Sequence, residues 1–218
     1  MKTITIKGIG QIALKPDLIV ISMKMETIDK EYDKTMEISA KRIDELNKAL
    51  EEIGFKKESI LTTNFHVSTR YESIRDKDGI YKNVFKGYGC IHNLKLEFDF
   101  DTKILAKVLS KISLCLAKPE LSITFTIKDQ TKVNEELLKS ATKNAKEKAL
   151  ILSSSSGVTL KDLISINYDF KDISLYSNTE YTVENRCMMQ AESYLANVNI
   201  EPDDIKINDT ITFVWEII

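Results

Sequence analysis

Apolar and polar residues alternate in several stretches of the chain, which is typical of strands with one buried face. The first two stretches, 3–7 and 19–26, are connected through Gly8, Gly10 and the pair Pro16-Asp17. We expect these two strands to pair as a hairpin, with the glycines permitting a bend or a bulge. Five further strands are predicted at 59–71, 88–100, 121–127, 163–170 and 205–218.

In three other stretches the apolar residues recur every three or four positions, which indicates amphipathic helices. Asp29 and Asp101 stand where helix N-caps are favoured, and Gly54 and Gly157 stand where helices commonly end. The predicted helices span 29–53, 101–117 and 130–155.

Two segments fit neither pattern. Residues 72–86 are mostly polar, and Asp78-Gly79 within them predicts a hairpin turn. Residues 171–200 have poor periodicity and are predicted to form a loop that contains at most a short strand pair.

The alternating strands argue against a doubly wound parallel sheet, whose buried strands are continuously apolar. We therefore predict an α+β fold: a mixed, largely antiparallel sheet covered by two long helices, with a smaller helix-and-strand unit. The chain is predicted to be a single domain over 1–218. A short echo between Gly8-Ile-Gly10 and Gly87-Tyr-Gly89 suggests two related halves, about 1–86 and 87–218.

The composition limits the class of protein. The chain has 218 residues, 43% of them hydrophobic, and a formal net charge of −2. This fits a globular protein, and the lack of a basic stripe argues against a nucleic-acid partner. No apolar run reaches the roughly 20 residues that span a membrane. Lysines interrupt the apolar residues at the N-terminus, so we expect no export signal and a cytoplasmic location. Cys90, Cys115 and Cys187 are widely spaced, which predicts free buried thiols.

The candidate chemical groups do not form a recognisable site. Gly8-x-Gly10-x-x-Ala13 fits a dinucleotide-binding pattern, but a strand rather than a helix follows it. His66 and His92 have no local partner that would make either a general base. The acidic residues Glu97, Asp99 and Asp101 could hold Mg²⁺ or Ca²⁺, but a helix cap on a solvated face is the simpler interpretation. We therefore predict no catalytic, cofactor-binding or metal-binding residue, no cofactor and no enzymatic activity.

The order of several short motifs resembles the SIMPL-domain family. The motifs are Gly8-x-Gly10, Pro16-Asp17, Leu50-Glu-Glu-Ile53-Gly54, Ala141-x3-Ala145-x3-Ala149 and Ile211-x-Phe213-x-Trp215. The family has largely unknown biochemistry and no agreed catalytic motif. It includes periplasmic immunogenic proteins, some of which form ring- or channel-like oligomers, members linked to oxidative stress, and an animal adaptor that binds an interleukin-receptor-associated kinase.

Three functions are compatible with these observations. The first is a non-enzymatic protein that forms homo-oligomers or binds a protein partner, because strand edges and the 171–200 segment could pair with another chain. A stress-related role for such a protein is what the resemblance implies. The second is a small-molecule or metal-dependent enzyme with a site between sheet and helices, formed by His66, His92, Glu97 and Asp99. The third is kinase-adaptor signalling, which the resemblance alone implies.

Overall fold

The computed structural model describes residues 1–75, 79–169, 173–183 and 200–218. Within these ranges the chain forms strands and three α-helices, and the predicted α+β class is confirmed. The strands are β1 (Lys2–Leu14), β2 (Leu18–Asp29), β3 (Ile60–Arg75), β4 (Tyr81–Asp99), β5 (Glu120–Thr126), β6 (Leu160–Asn167), β7 (Tyr181–Val183) and β8 (Ile205–Ile217). The helices are α1 (Tyr32–Glu51), α2 (Thr102–Leu114) and α3 (Gln130–Ser155).

The strands form two antiparallel sheets, with the orders β1-β8-β6 and β3-β4-β2-β5-β7. The expected hairpin of the first two strands is therefore wrong. β1 pairs with β8 from Lys2↔Ile217 to Leu14↔Ile205, whereas β2 pairs with β4. Alternation specifies which face of a strand is buried but not which strand lies beside it.

The chain packs as two compact units. The first comprises Met1–Asp17, Phe125–Asn178 and Pro202–Ile218, and the second comprises Leu18–Thr124 and Thr179–Glu201. These bounds describe packing, whereas the suggested halves concern internal similarity. The single domain and its two related halves stay a prediction.

In the first unit, α3 packs on the three-stranded sheet through small side chains. Ala141, Ala145 and Ala149 are fully buried, and they recur every four residues along one side of the helix. They pack against the apolar face of β1 and β8, to which Ile6, Ile211, Phe213 and Trp215 belong. The Ala stripe thus faces the sheet.

Gly8 and Gly10 allow this close approach of helix and strand. A Cβ at Gly8 would overlap the carbonyl oxygen of Ala141 and lie 2.7 Å from the Ala145 Cβ, and one at Gly10 would overlap the carbonyl oxygen of Leu137. No bulge forms at these glycines, because β1 pairs with β8 without a register shift. The glycines leave room for the helix instead.

The outer edge of β1 is partly covered by polar side chains of α3. The Ile9 N–H donates to Asn144 Oδ1 at 3.0 Å, and the Gln11 N–H donates to Ser140 Oγ at 3.3 Å. Because these two backbone groups have partners, this part of the edge is protected from pairing with another strand.

In the second unit, α1 lies over the five-stranded sheet with α2 beside it. Asp101 caps α2 as predicted, accepting hydrogen bonds from the Lys103 and Ile104 N–H groups at 2.7 and 3.1 Å. Asp29 is not the cap of α1, because it ends β2 and the N-cap is Glu31. The core includes Ile19, Ile21, Met23, Leu46, Leu50, Leu96, Leu105, Leu109 and Ile112.

Arg42 of α1 connects three backbone segments of the second unit. Its guanidinium donates to the Ala117 carbonyl from Nε at 3.0 Å and Nη2 at 2.6 Å, and its Nη1 donates to the Glu26 carbonyl at 2.6 Å and Thr27 Oγ1 at 2.9 Å. The buried Cys115 thiol accepts the Ala117 N–H, and burial raises the pKa of this thiol. Arg42 therefore fixes α1, β2 and the connection after α2 together.

Some expectations are confirmed only for the described ranges. Cys90 and Cys115 are free and buried, whereas Cys187 lies outside the described residues. Within 171–200, Tyr181–Val183 pairs with Leu121–Ile123, and much of the remainder is not described. Asp78 is also outside the described ranges, but β3 and β4 pair around the predicted turn. None of the described helices is long and apolar enough to cross a bilayer.

Candidate interaction surface

The ends of β3 and β4 extend beyond their neighbouring strand. β2 pairs with β4 only as far as Asp29↔Tyr88, whereas β3 and β4 continue to Arg75↔Tyr81. We call residues 71–75 and 80–86 the hairpin arm. Every side chain of the arm is exposed, because this two-stranded ribbon has no third strand beside it in the described structure.

The arm begins at a break in the β3–β4 register. Arg70 pairs with Gly87 and Tyr71 with Phe85, so Lys86 is the extra residue on β4. Gly87 has φ +144, and a Cβ there would overlap the Asp29 carbonyl oxygen. The glycine thus permits the bulge where β2 ends.

A row of aromatic rings runs from the start of α1 onto the arm. The ring centroids are 5.6 Å apart for Tyr32–Tyr88, 5.4 Å for Phe85–Tyr88 and 5.9 Å for Tyr71–Phe85, all edge to face. Tyr71 remains 61% exposed and Phe85 46%. Contiguous exposed aromatic rings of this kind are typical of protein-binding surfaces.

This row is not apparent from the sequence. The polar composition of 72–86 obscured it, although a signal was present. A turn at Asp78-Gly79 brings Tyr71 opposite the region of Phe85, since the two lie at equal distances from residue 78.

β3 itself is an edge strand of the five-stranded sheet, and no described strand pairs with its outer side. Leu61 and Phe65 on β3 are about half exposed. An open edge of 16 residues presents unpaired backbone donors and acceptors to another strand. The arm and this edge together form the candidate interaction surface.

The residues considered for an enzyme site are not brought together. His66 is exposed and pairs with Ile91, which lies six residues, or roughly 20 Å of strand, from Glu97. His92 lies on the buried face of β4, whereas Glu97 lies on its exposed face and pairs with Lys95 at 2.8 Å. Asp99 ends the strand. The described residues contain no group of three or more His, Cys, Asp or Glu placed to hold a metal.

His92 belongs to the packing of the sheet. It is 8% exposed, its Nε2 is 2.9 Å from Thr62 Oγ1, and its ring meets Phe65 edge to face at 5.0 Å. Its Nδ1 is buried without a hydrogen-bond partner among the described residues. Burial lowers the pKa of His92, because the charged imidazolium is poorly solvated there.

This burial predicts a pH dependence of stability. Below a pH of about 6.5, an unfolded chain takes up a proton that folded His92 resists, so stability falls as pH falls towards the lowered pKa of His92. We expect His92→Gln to lose less free energy of unfolding between pH 7 and pH 5 than the wild type, measured by urea denaturation. His66→Gln makes the same substitution at the exposed histidine of β3 and is measured beside it. Equal slopes for the wild type and His92→Gln would contradict the prediction.

These features define an α+β protein with an exposed hairpin arm and an open sheet edge. The model of the SIMPL family, described as a protein of unknown function (DUF541), matches residues 4–215. The chain therefore belongs to the SIMPL family, as its motifs indicated. The comparison with curated proteins found no match.

Proposed function

We propose that the protein is a non-enzymatic binding protein that self-associates through the hairpin arm and the open edge of β3. The observation that carries this proposal is the exposed aromatic row on a ribbon that leaves the sheet. A second copy of the chain is the favoured occupant, because an edge strand can pair with its own copy about a two-fold axis.

The charges on β3 suit such self-pairing. An antiparallel pair centred on Tyr71 would place Arg70 of one copy opposite Glu72 of the other, twice by symmetry. Arg70, 35% of whose side chain is exposed, contacts Glu26 at 2.6 Å and would exchange this pair on association, whereas the exposed Glu72 contacts Lys86 at 3.6 Å in a weak surface pair. Cross-strand pairs of opposite charge favour this register.

Reversing one of these charges tests the proposal. We expect Glu72→Arg to weaken association about tenfold, because two opposite-charge pairs become two like-charge pairs. The double variant Arg70→Glu/Glu72→Arg should restore association, because it exchanges the signs. Size-exclusion chromatography with light scattering over a concentration series measures both effects.

Glu37→Arg makes the same charge change on the exposed side of α1 and should associate like the wild type. A wild type that stays monomeric at every concentration would refute self-association. Association that is unaffected by Glu72→Arg and by Tyr71→Glu would show that the interface lies elsewhere.

The stress-related role and the cytoplasmic location are further parts of this proposal. The first rests on the family resemblance, and the second is supported by the free, buried thiols of Cys90 and Cys115. Fractionation of the native host and the stress survival of a deletion strain test them.

A further inference from the structure

An apolar groove lies between α3 and β6 in the first unit. The groove has a volume of about 450 Å³, within the range of small-molecule sites. Its floor is β8, where the rings of Phe213 and Trp215 stack with centroids 5.4 Å apart and an angle of 18°. The groove is independent of the interaction surface, which belongs to the second unit.

The packing of α3 explains why the groove is open. The Ala stripe and Gly8 bring the helix close to β1, at one side of the sheet, while β6 forms the opposite edge. The helix therefore covers β1 and β8 more closely than β6, and part of the apolar face remains accessible.

The β6 wall of the groove carries apolar side chains that are only partly buried. Leu163 pairs with Trp215 and Ile166 with Phe213, and a register shift between Leu163 and Ser165 brings both apolar residues to the groove. Leu163 is 45% exposed and Ile166 54%. Exposed apolar residues beside stacked rings form a surface suited to an apolar ligand.

The polar groups at the two ends of the groove are a lysine and a neutral phenol that lies beside a buried carboxylate. Lys146 is exposed on the α3 wall, with no described carboxylate within ion-pair distance, whereas Lys139 and Lys143 approach Glu135 and Glu147 on the same helix. Tyr168, the residue that follows β6, lines the groove towards the other end, near Asp209. Burial and the Asp209 carboxylate raise the pKa of this phenol, which keeps it neutral.

We infer that the groove binds an amphipathic carboxylic acid, with its apolar tail on Trp215, Phe213 and Ile166 and its carboxylate at Lys146. Leu138 and Lys146 both line the groove and are two helical turns apart, so the site extends for roughly 12 Å. An alkyl chain of medium length fits this span. The Asp209 carboxylate behind Tyr168 disfavours a ligand carboxylate at that end of the groove.

The chain contains a built-in reporter for this site, because Trp215 is its single tryptophan. Decanoate is the probe, with decanol and decylamine for comparison, and binding is followed by Trp215 fluorescence and by calorimetry. We expect saturable binding of decanoate, with decanol and decylamine at least about tenfold weaker, as expected for a charge-assisted hydrogen bond.

Three variants locate the contacts. Lys146→Gln should weaken decanoate binding about tenfold, and Lys143→Gln, which removes the same charge one turn away, should leave it unchanged. Thr142→Phe, at an exposed position on the groove wall, should block the site without disturbing the core. Absence of saturable binding, equal or tighter binding of decanol or decylamine, or wild-type binding by Lys146→Gln or Thr142→Phe would overturn the inference.

Discussion

Replacing Gly8 by alanine is expected to lower the free energy of unfolding by about 3 kcal/mol, at the upper end of the usual cost of overpacking. The new Cβ would overlap the backbone oxygen of Ala141, and a backbone group cannot rotate away as a side chain can. Helix and strand would have to separate, which would loosen the contacts along the Ala stripe. Urea denaturation followed by Trp215 fluorescence measures the loss, because Trp215 belongs to the same buried cluster.

Gly157→Ala is the matched control. Its new Cβ meets nothing within 4 Å, so it should cost only the strain of φ +69, about 1 kcal/mol. If Gly8→Ala were no more destabilising than Gly157→Ala, α3 would not pack against β1 as described.

Arg42→Met is expected to lower the free energy of unfolding by about 3 kcal/mol. The substitution removes four hydrogen bonds of the guanidinium and leaves the Ala117 and Glu26 carbonyls without this donor. Arg42→Lys should recover only part of the loss, because an ammonium lacks the planar fork. This unit contains no tryptophan that could report its unfolding by fluorescence. Its loss of stability is therefore measured by circular dichroism during urea denaturation.

Lys41→Met, at the exposed neighbouring position of α1, should change stability by less than about 0.5 kcal/mol. A similarly small effect of Arg42→Met would mean that water replaces the guanidinium without cost.

The sequence predicted where helices and strands lie better than it predicted which strands pair. The helices at 101–117 and 130–155 and the cap at Asp101 depend on local patterns, and they are found within a few residues of their predicted bounds. The pairing of β1 with β8 joins residues about 200 positions apart, and no local pattern specifies it. Local sequence indicates only the flexibility of Gly8 and Gly10, whereas their role depends on a helix that begins 120 residues later.

The candidate interaction surface was only partly predictable. The hairpin turn and the importance of strand edges were inferred from sequence, but the aromatic row was not, because exposure depends on where β2 ends. The pairing of Lys95 with Glu97 and the burial of His92 likewise depend on which face of β4 is covered. Residue types alone could not separate a histidine of the core from one that is available for chemistry.

The middle position of β8 in its sheet has a consequence for biosynthesis. β1 leaves the ribosome before β8, and at about 5–20 residues per second the interval is on the order of ten to forty seconds. During this time β1 and β6 lack the strand that joins them, whereas most of the other unit comes from the continuous stretch Leu18–Thr124. The nascent chain must therefore keep β1 from aggregating until β8 has been synthesised.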